Sequence, residues 1–146
     1  MPRNSNGLPI DPSDYNRADG FSPGQLIITK VPGLDTPEAF RNTGAVPITD
    51  LARYRDKTAP IVVINARTGK RHLIWSELDS NAASPEDVTL LIRPGVNFEE
   101  GERYIVALRN LKDAEGNTIG PQPAFRGIRD GEPTTTLRML LAELKN

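Results

Sequence analysis

The stretch GERYIVALRNLKDAEGNTIG, residues 101–120, decides the fold class that this sequence predicts. Apolar residues alternate with others from Tyr104 to Leu108, which is the pattern of an extended strand with a different set of side chains on each face. We expect Tyr104, Val106 and Leu108 to face the core. The strand leads into a Gly-containing turn, KDAEGN at 112–117. The stretch therefore predicts a core strand of a β structure.

The rest of the chain contains similar segments separated by turn residues. A β-branched run before the turn RTGK and a second run after it predict a hairpin. TPEAFRN and ITDLARYRD predict short helical turns, the first capped by Thr36 with Pro37 at its first position. Leucines recur at helical spacing near the C-terminus. The predicted strands are 25–31, 61–64, 72–75, 88–95, 103–111 and 124–131, and the leucines are Leu137, Leu140, Leu141 and Leu144.

This order of elements predicts one all-β domain with a helix at its end. Several short strands with turn signals at short intervals favour a β-sandwich over a barrel. We expect residues 1–24 to form an N-terminal loop region that packs on the sandwich, with Phe21 against it. Residues 25–131 are predicted to form the sandwich, and residues 132–146 a C-terminal helix or a linker to a following domain.

Composition limits the chemistry that this chain could perform alone. The 146 residues carry a formal net charge of −1 with acidic and basic residues intermingled, which argues against nucleic acid as a partner. No apolar run is long enough to insert into a membrane, and the N-terminus lacks the hydrophobic region of a signal peptide. With no cysteine and only His72 as an imidazole, a thiol nucleophile is excluded and a catalytic triad would depend on one residue. The sequence thus predicts no catalytic residues.

The opening stretch resembles the closing strands of bacterial Ig-like domains of the S-layer type. A longer string, from PIDPSDYNRADGFSPG to NTIGP, also resembles a module near the N-terminus of large exported bacterial proteins, often ahead of an α/β-hydrolase-like domain. The resemblance implies an Ig-like antiparallel β-sandwich in an exported protein that is periplasmic, secreted or on the cell surface. The residues at matching places are Gly101, Tyr104, Val106, Leu108, Leu111, Asp113, Gly116 and Asn117.

Two aromatic residues are predicted to have structural roles. Tyr104 follows a Gly turn, so its ring can be buried while its hydroxyl bonds a backbone group upstream, as in the tyrosine corner of sandwich folds. Trp75 is expected to anchor the core, whereas an exposed Trp75 would indicate a sugar-binding platform. His72 and Trp75 lie an odd number of residues apart, so a regular strand would place them on opposite faces.

Two acidic stretches are candidates for calcium. In KDAEGN, Asp113, Glu115 and Asn117 could supply oxygen ligands at alternate positions, but a tight turn with Gly116 at positive φ is the favoured interpretation. In DPSDYNRADGFSPG, Asp14 and Asp19 are candidates, although the spacing does not fit an EF-hand loop. We expect no cofactor, with calcium as the alternative.

Three hypotheses for function follow from the sequence. The first is a non-catalytic accessory domain that spaces or packs against a neighbouring domain of the same parent protein, such as a hydrolase-like catalytic domain. The second is a module that binds a carbohydrate or another extracellular polymer, which would need exposed aromatic residues. The third is a stand-alone enzyme with chemistry centred on His72 or on a metal held by a loop. The sequence favours the first.

Overall fold

The structure is a computed structural model, and it describes residues 3–131. The C-terminal helix predicted for 132–146, with its leucine stripe, lies outside the described residues. Short 3₁₀ turns occur at Tyr15–Arg17, Ile48–Arg55 and Pro85–Asp87. The strands and α-helices are β1 (Ile27–Thr29), α1 (Pro37–Thr43), β2 (Ile61–Asn65), β3 (Arg71–His72), β4 (Ile74–Leu78), β5 (Leu90–Pro94), β6 (Tyr104–Leu108) and α2 (Pro123–Asp130).

The strands form two antiparallel sheets of three strands each. The first sheet has the order β1-β5-β4 and the second the order β3-β2-β6. In the second sheet the pairing runs from Ile61 opposite Leu108 to Asn65 opposite Tyr104. These two sheets confirm the prediction of a β-rich chain with antiparallel strands and short helical connections.

Both sheets contribute side chains to one apolar core. Ile74, Leu90 and Ile92 of the first sheet are buried together with Ile61 and Val63 of the second. The β2 strand is buried on both faces, which explains why its sequence is a continuous apolar run instead of an alternation. Burial of such side chains contributes about 1.5–3 kcal/mol each and is the main source of stability here.

The first helical turn forms as the sequence predicts. The Thr36 hydroxyl accepts a hydrogen bond from the Ala39 N–H at 3.1 Å, and Pro37 occupies the first helical position. Gly44 ends the helix in the left-handed conformation at φ 73°, which glycine adopts without steric cost. Helix α1 is thereby fixed against β4, where it forms one wall of the groove described below.

One predicted strand is a helix. The sequence pattern predicts a last strand in AFRGIRDG at 124–131, but α2 covers most of this segment. Pro123 stands at the first helical position, and Gly131 ends the helix in the left-handed conformation. These start and stop signals override the weak strand pattern, which has a glycine at its centre.

The predicted hairpin around RTGK is shorter than expected. Only the pairs Val63 with His72 and Ile64 with Arg71 join β2 to β3. After Leu73 the chain leaves the second sheet, and β4 pairs with β5 in the first. The run from His72 to Trp75 is therefore divided between two sheets, because Ile74 turns into the common core.

The expected inward face of β6 is only half covered. Val106 is 39% exposed and Leu108 is 36% exposed, whereas Tyr104 and Ala107, from opposite faces, pack against the core. The reason is that β6 is an edge strand, with β2 as its single neighbour among the described residues. The prediction that Val106 and Leu108 face the core is therefore wrong, because both side chains are partly exposed.

The N-terminal region does not pack on the sheets as expected. Phe21 is 86% exposed, and nearly all described residues before Gly24 are exposed. Its turns are held locally, for example by the Asp11 carboxylate, which accepts bonds from the N–H and hydroxyl of Ser13. A hydrogen bond from Phe98 N–H to Pro23 O, at 2.9 Å, ties the end of the region to the domain.

Among residues 3–131, none of the helices combines the length and the apolar character that crossing a membrane requires.

Candidate functional site

Trp75 lies on the outer face of the first sheet. In β4 the side chains of Ile74 and Ser76 point into the core and are buried, so Trp75 and Glu77 point outward. Trp75 is half-buried and is not part of the apolar core. The expectation of a core anchor is therefore wrong, because the buried positions of β4 are taken by its neighbours.

A groove of about 300 Å³ runs beside Trp75. One wall comes from α1 and another from the 3₁₀ turn that begins at Ile48, while β4 forms the floor. The lining is mainly apolar and includes an aromatic ring from each of two elements. The lining residues are Pro37, Phe40, Arg41, Pro47, Ile48, Trp75, Ser76, Glu77 and Leu78.

Charged pairs border this groove. The Arg93 Nε lies 2.7 Å from a Glu77 carboxylate oxygen, and its guanidinium carbon lies 5.4 Å from the centre of the Trp75 ring. Arg41 pairs with Glu38 one helical turn earlier in α1. An apolar centre with half-exposed charges of both signs at its edge is the arrangement found in protein interfaces. We call the groove with Arg93 and Glu38 the Trp75 surface.

The Tyr104 hydroxyl bonds a backbone group upstream. It accepts a hydrogen bond from the Glu99 N–H at 3.0 Å. The Tyr104 ring contacts Phe98, with ring centres 4.6 Å apart, and lies edge-on to His72 at 5.3 Å. The ring cluster holds the loop before β6 against the end of the second sheet.

His72 is part of this ring cluster. Its ring centre lies 4.5 Å from that of Phe98, and its Nε2 donates a hydrogen bond to Val96 O at 2.8 Å. A ring nitrogen that donates to a carbonyl carries the proton and cannot accept another at that atom. His72 therefore bridges the loop after β5 to the sheet.

Glu102 joins the turn after β2 to the start of β6. Its carboxylate pairs with Arg67 at 2.7 Å and accepts a hydrogen bond from the Asn65 amide at 3.2 Å. The hydrogen bond from Arg67 is the main cause that lowers the pKa of Glu102, and Asn65 adds to it. Asn65 is buried, and its amide oxygen also accepts bonds from two backbone N–H groups of the turn, at 3.0 Å each.

The oxygens of the KDAEGN turn bond to the turn itself. The Asp113 carboxylate accepts hydrogen bonds from the N–H groups of Glu115 and Asn117 and from the Asn117 side-chain amide. Gly116 has a φ of 85°, the left-handed conformation that favours glycine. Burial alone would raise the pKa of Asp113, but the hydrogen bonds from Asn117 and the neighbouring backbone outweigh it and lower that pKa.

The calcium candidates are not brought together. Asp14 has a side chain that is 91% exposed and lies 3.9 Å from Arg17. Asp19 is also exposed, and Asp113 makes the turn bonds just described. Within the part of the chain that the structure describes, no group of three acidic or histidine residues has a geometry that could hold a metal ion.

Sequence reasoning missed two sets of residues. The Arg71 guanidinium stacks over the Tyr54 ring at 4.3 Å and donates to Asp56 O, fixing β3 to the 3₁₀ turn. The second is Asn65, the buried polar residue at the end of β2. Asn before RTGK is a turn signal that could have found it, whereas the Arg71–Tyr54 contact joins separate elements and leaves no local pattern.

No family model, no curated protein and no solved structure matches this chain. The Ig-like family therefore stays a prediction from the sequence motifs. The function has to be inferred from the surfaces of the molecule.

Proposed function

We propose that this chain is a non-catalytic accessory domain of an exported bacterial protein, with an Ig-like β-sandwich fold. In this proposal it packs against a neighbouring domain of the same parent protein, such as a hydrolase-like catalytic domain. The single observation that carries the proposal is the Trp75 surface, an outward-facing aromatic groove with paired charges at its edge. The exported location and the hydrolase-like neighbouring domain are inferred from the sequence resemblance.

The chemistry of the Trp75 surface supports contact with a protein. Tryptophan beside an apolar groove is the kind of residue that dominates binding energy in protein interfaces. The charges at the edge are already paired, Glu77 with Arg93 and Glu38 with Arg41. A partner that covers the groove therefore buries apolar area without leaving a charge unpaired, which is favourable for docking.

The fold supports the same role. Each sheet is antiparallel and both supply one apolar core, as a sandwich requires. Helix α1 and the following 3₁₀ turn are fixed to β4, so the walls of the groove are held in place before a partner arrives. A surface that is already ordered loses less conformational entropy on binding.

The position of His72 argues against the third hypothesis, a stand-alone enzyme. Its Nε2 is bonded to Val96 O, and its ring is packed on Phe98, so it acts as a structural bridge. A His72→Ala variant should unfold more easily than the wild type, and no hydrolytic activity of the chain should depend on it. If the chain has an activity that is lost in this variant or after chelation, that result would support the enzyme hypothesis.

The adjoining domain provides the test of the accessory role. This domain of the parent protein is produced separately and passed over the immobilised chain. The wild type should retain it, Trp75→Ala should not, and Tyr15→Ala should retain it as the wild type does, because Tyr15 is 75% exposed in the N-terminal region. Equal retention by wild type and Trp75→Ala, or none by either, would contradict the proposal.

A second candidate function is binding of a carbohydrate polymer. It is favoured by the partly exposed Trp75 ring with Glu77 and Arg93 beside it, since sugars stack on aromatic rings and bond to planar charged groups. Sedimentation with insoluble polysaccharides separates the two candidates. Retention of the wild type above that of Trp75→Ala would support the polymer, and equal retention would exclude it.

A further inference from the structure

The outer edge of β6 exposes backbone groups that no described strand covers. Two hydrogen bonds show which residues of β6 direct their backbone groups to β2. They run from Ala66 N–H to Arg103 O at 2.8 Å and from Arg109 N–H to Pro60 O at 2.9 Å. In an antiparallel pair, hydrogen-bonded and non-hydrogen-bonded positions alternate. Residues 103, 105, 107 and 109 therefore direct their backbone groups to β2.

It follows that residues 104, 106 and 108 direct their N–H and C=O groups away from β2. The side chains along this edge are also accessible, with Ile105 47% exposed and Val106 and Leu108 somewhat less so. An open edge with apolar side chains is the site at which proteins add a further strand. Unlike the Trp75 surface, this edge belongs to the second sheet.

Two arginines bracket the edge. Arg103 and Arg109 lie on the same face of β6 as Ile105 and Ala107, at a separation of about 20 Å for six residues of strand. Arg109 donates to the backbone carbonyls of Lys57 and Ala59. Within residues 3–131, neither Arg103 nor Arg109 forms an ion pair with a carboxylate.

These charges select between the occupants of the edge. Two copies of β6 paired antiparallel about Val106 would place Arg103 opposite Arg109 twice, and like charges opposite each other are destabilising. An added strand with acidic residues at both ends would instead pair Arg103 directly, and would pair Arg109 when its guanidinium exchanges the carbonyls of Lys57 and Ala59 for a carboxylate. Charge complementarity therefore favours a partner with an acidic residue at each end of an apolar alternation.

We propose that the outer edge of β6 accepts an extended segment of a partner protein as an additional strand. The segment has apolar residues at alternate positions and acidic residues six positions apart, opposite Arg103 and Arg109. Backbone bonds to residues 104, 106 and 108 supply the affinity, and the two arginines fix register and specificity. This contact is independent of the role proposed for the Trp75 surface.

Peptide titration of the ¹⁵N-labelled chain tests the proposal. The probe is the peptide Asp-Thr-Val-Thr-Val-Thr-Asp, and the control carries lysine in place of both aspartates. The acidic peptide should shift the amide signals of Val106 and Leu108 and protect them from exchange, while the basic peptide should bind at least about tenfold more weakly. Equal effects of the two peptides, or no effect at about 1 mM, would overturn the proposal.

Two variants sharpen this test. Arg103→Glu changes an exposed side chain, so the fold should persist while the acidic peptide binds about tenfold more weakly. A peptide with lysine at one end should restore binding, and the end that restores it gives the strand direction. Val106→Pro removes an outward N–H but no bond to β2, and should abolish binding. Unchanged binding in Arg103→Glu, or concentration-dependent dimerisation through this edge without peptide, would overturn the proposal.

Discussion

The hydroxyl group of Tyr104 accepts a hydrogen bond from the backbone N–H of Glu99, 3.0 Å away and five residues earlier in the chain. The bond closes the loop between β5 and β6 over the rings of Phe98 and His72. The loop that follows Gly95 is therefore held by side chains, because few of its backbone groups are paired.

We expect Tyr104→Phe to destabilise the domain by about 0.5–1.5 kcal/mol, the usual net contribution of one hydrogen bond. The ring contacts persist in this variant, so only the bond to Glu99 is lost. Tyr15→Phe is the matched control, because Tyr15 is highly exposed and its hydroxyl makes no hydrogen bond within residues 3–131. Urea unfolding measures both, and equal stability of Tyr104→Phe and wild type would show that the bond is not stabilising.

The Asp113 carboxylate should stabilise the turn after β6 only when it is ionised. Its pKa lies below the ordinary value of 3.8, so its contribution is fully present above that pH and is lost as the pH falls through the folded-state pKa. Asp113→Asn should therefore unfold at a lower urea concentration than the wild type at pH 7. The difference between the two midpoints should become smaller below pH 3.8.

The control for this variant is Asp19→Asn, which changes an exposed acid in the N-terminal region. It should follow the wild type at both pH values. A difference between Asp113→Asn and wild type that persists or grows in acid would mean that charge on Asp113 is not what holds the turn.

Adjacent residues of β4 should respond very differently to truncation. Ile74 is completely buried, so Ile74→Ala should cost about 2–5 kcal/mol of stability. Trp75 points outward, so Trp75→Ala should cost clearly less although it removes a larger side chain. Thermal unfolding of the two variants checks this prediction. A greater loss of stability in Trp75→Ala than in Ile74→Ala would show that Trp75 is part of the core.

The sequence predicted local structure better than the surfaces formed between elements. The alternation of β6, the cap at Thr36 and the glycine turn at Gly116 are local signals, and the structure has a strand, a helix start and a turn at these places. The pattern of 124–131 does not distinguish a strand from a helix, because it is short and glycine interrupts it. Its start signal at Pro123 lay just outside that pattern.

The Trp75 surface could not be predicted for a different reason. Alternation in β4 shows that Trp75 and Ser76 face opposite sides, and hydrophobicity places the tryptophan inside. The structure has the reverse: Ser76 is buried, and its hydroxyl donates to Val46 O at 3.4 Å, so the inward polar side chain has a hydrogen-bond partner. The walls of the groove come from α1 and the 3₁₀ turn, far from β4 in sequence.

The measurement that tests the central claim most directly is the indole N–H signal of Trp75 in a ¹⁵N-labelled chain. The chain has one tryptophan, so the spectrum contains one such signal. Titration with the unlabelled adjoining domain of the parent protein should shift it and leave the amide of Tyr15 unchanged. An indole signal that stays in place while the domain is added to saturation would contradict docking through the Trp75 surface.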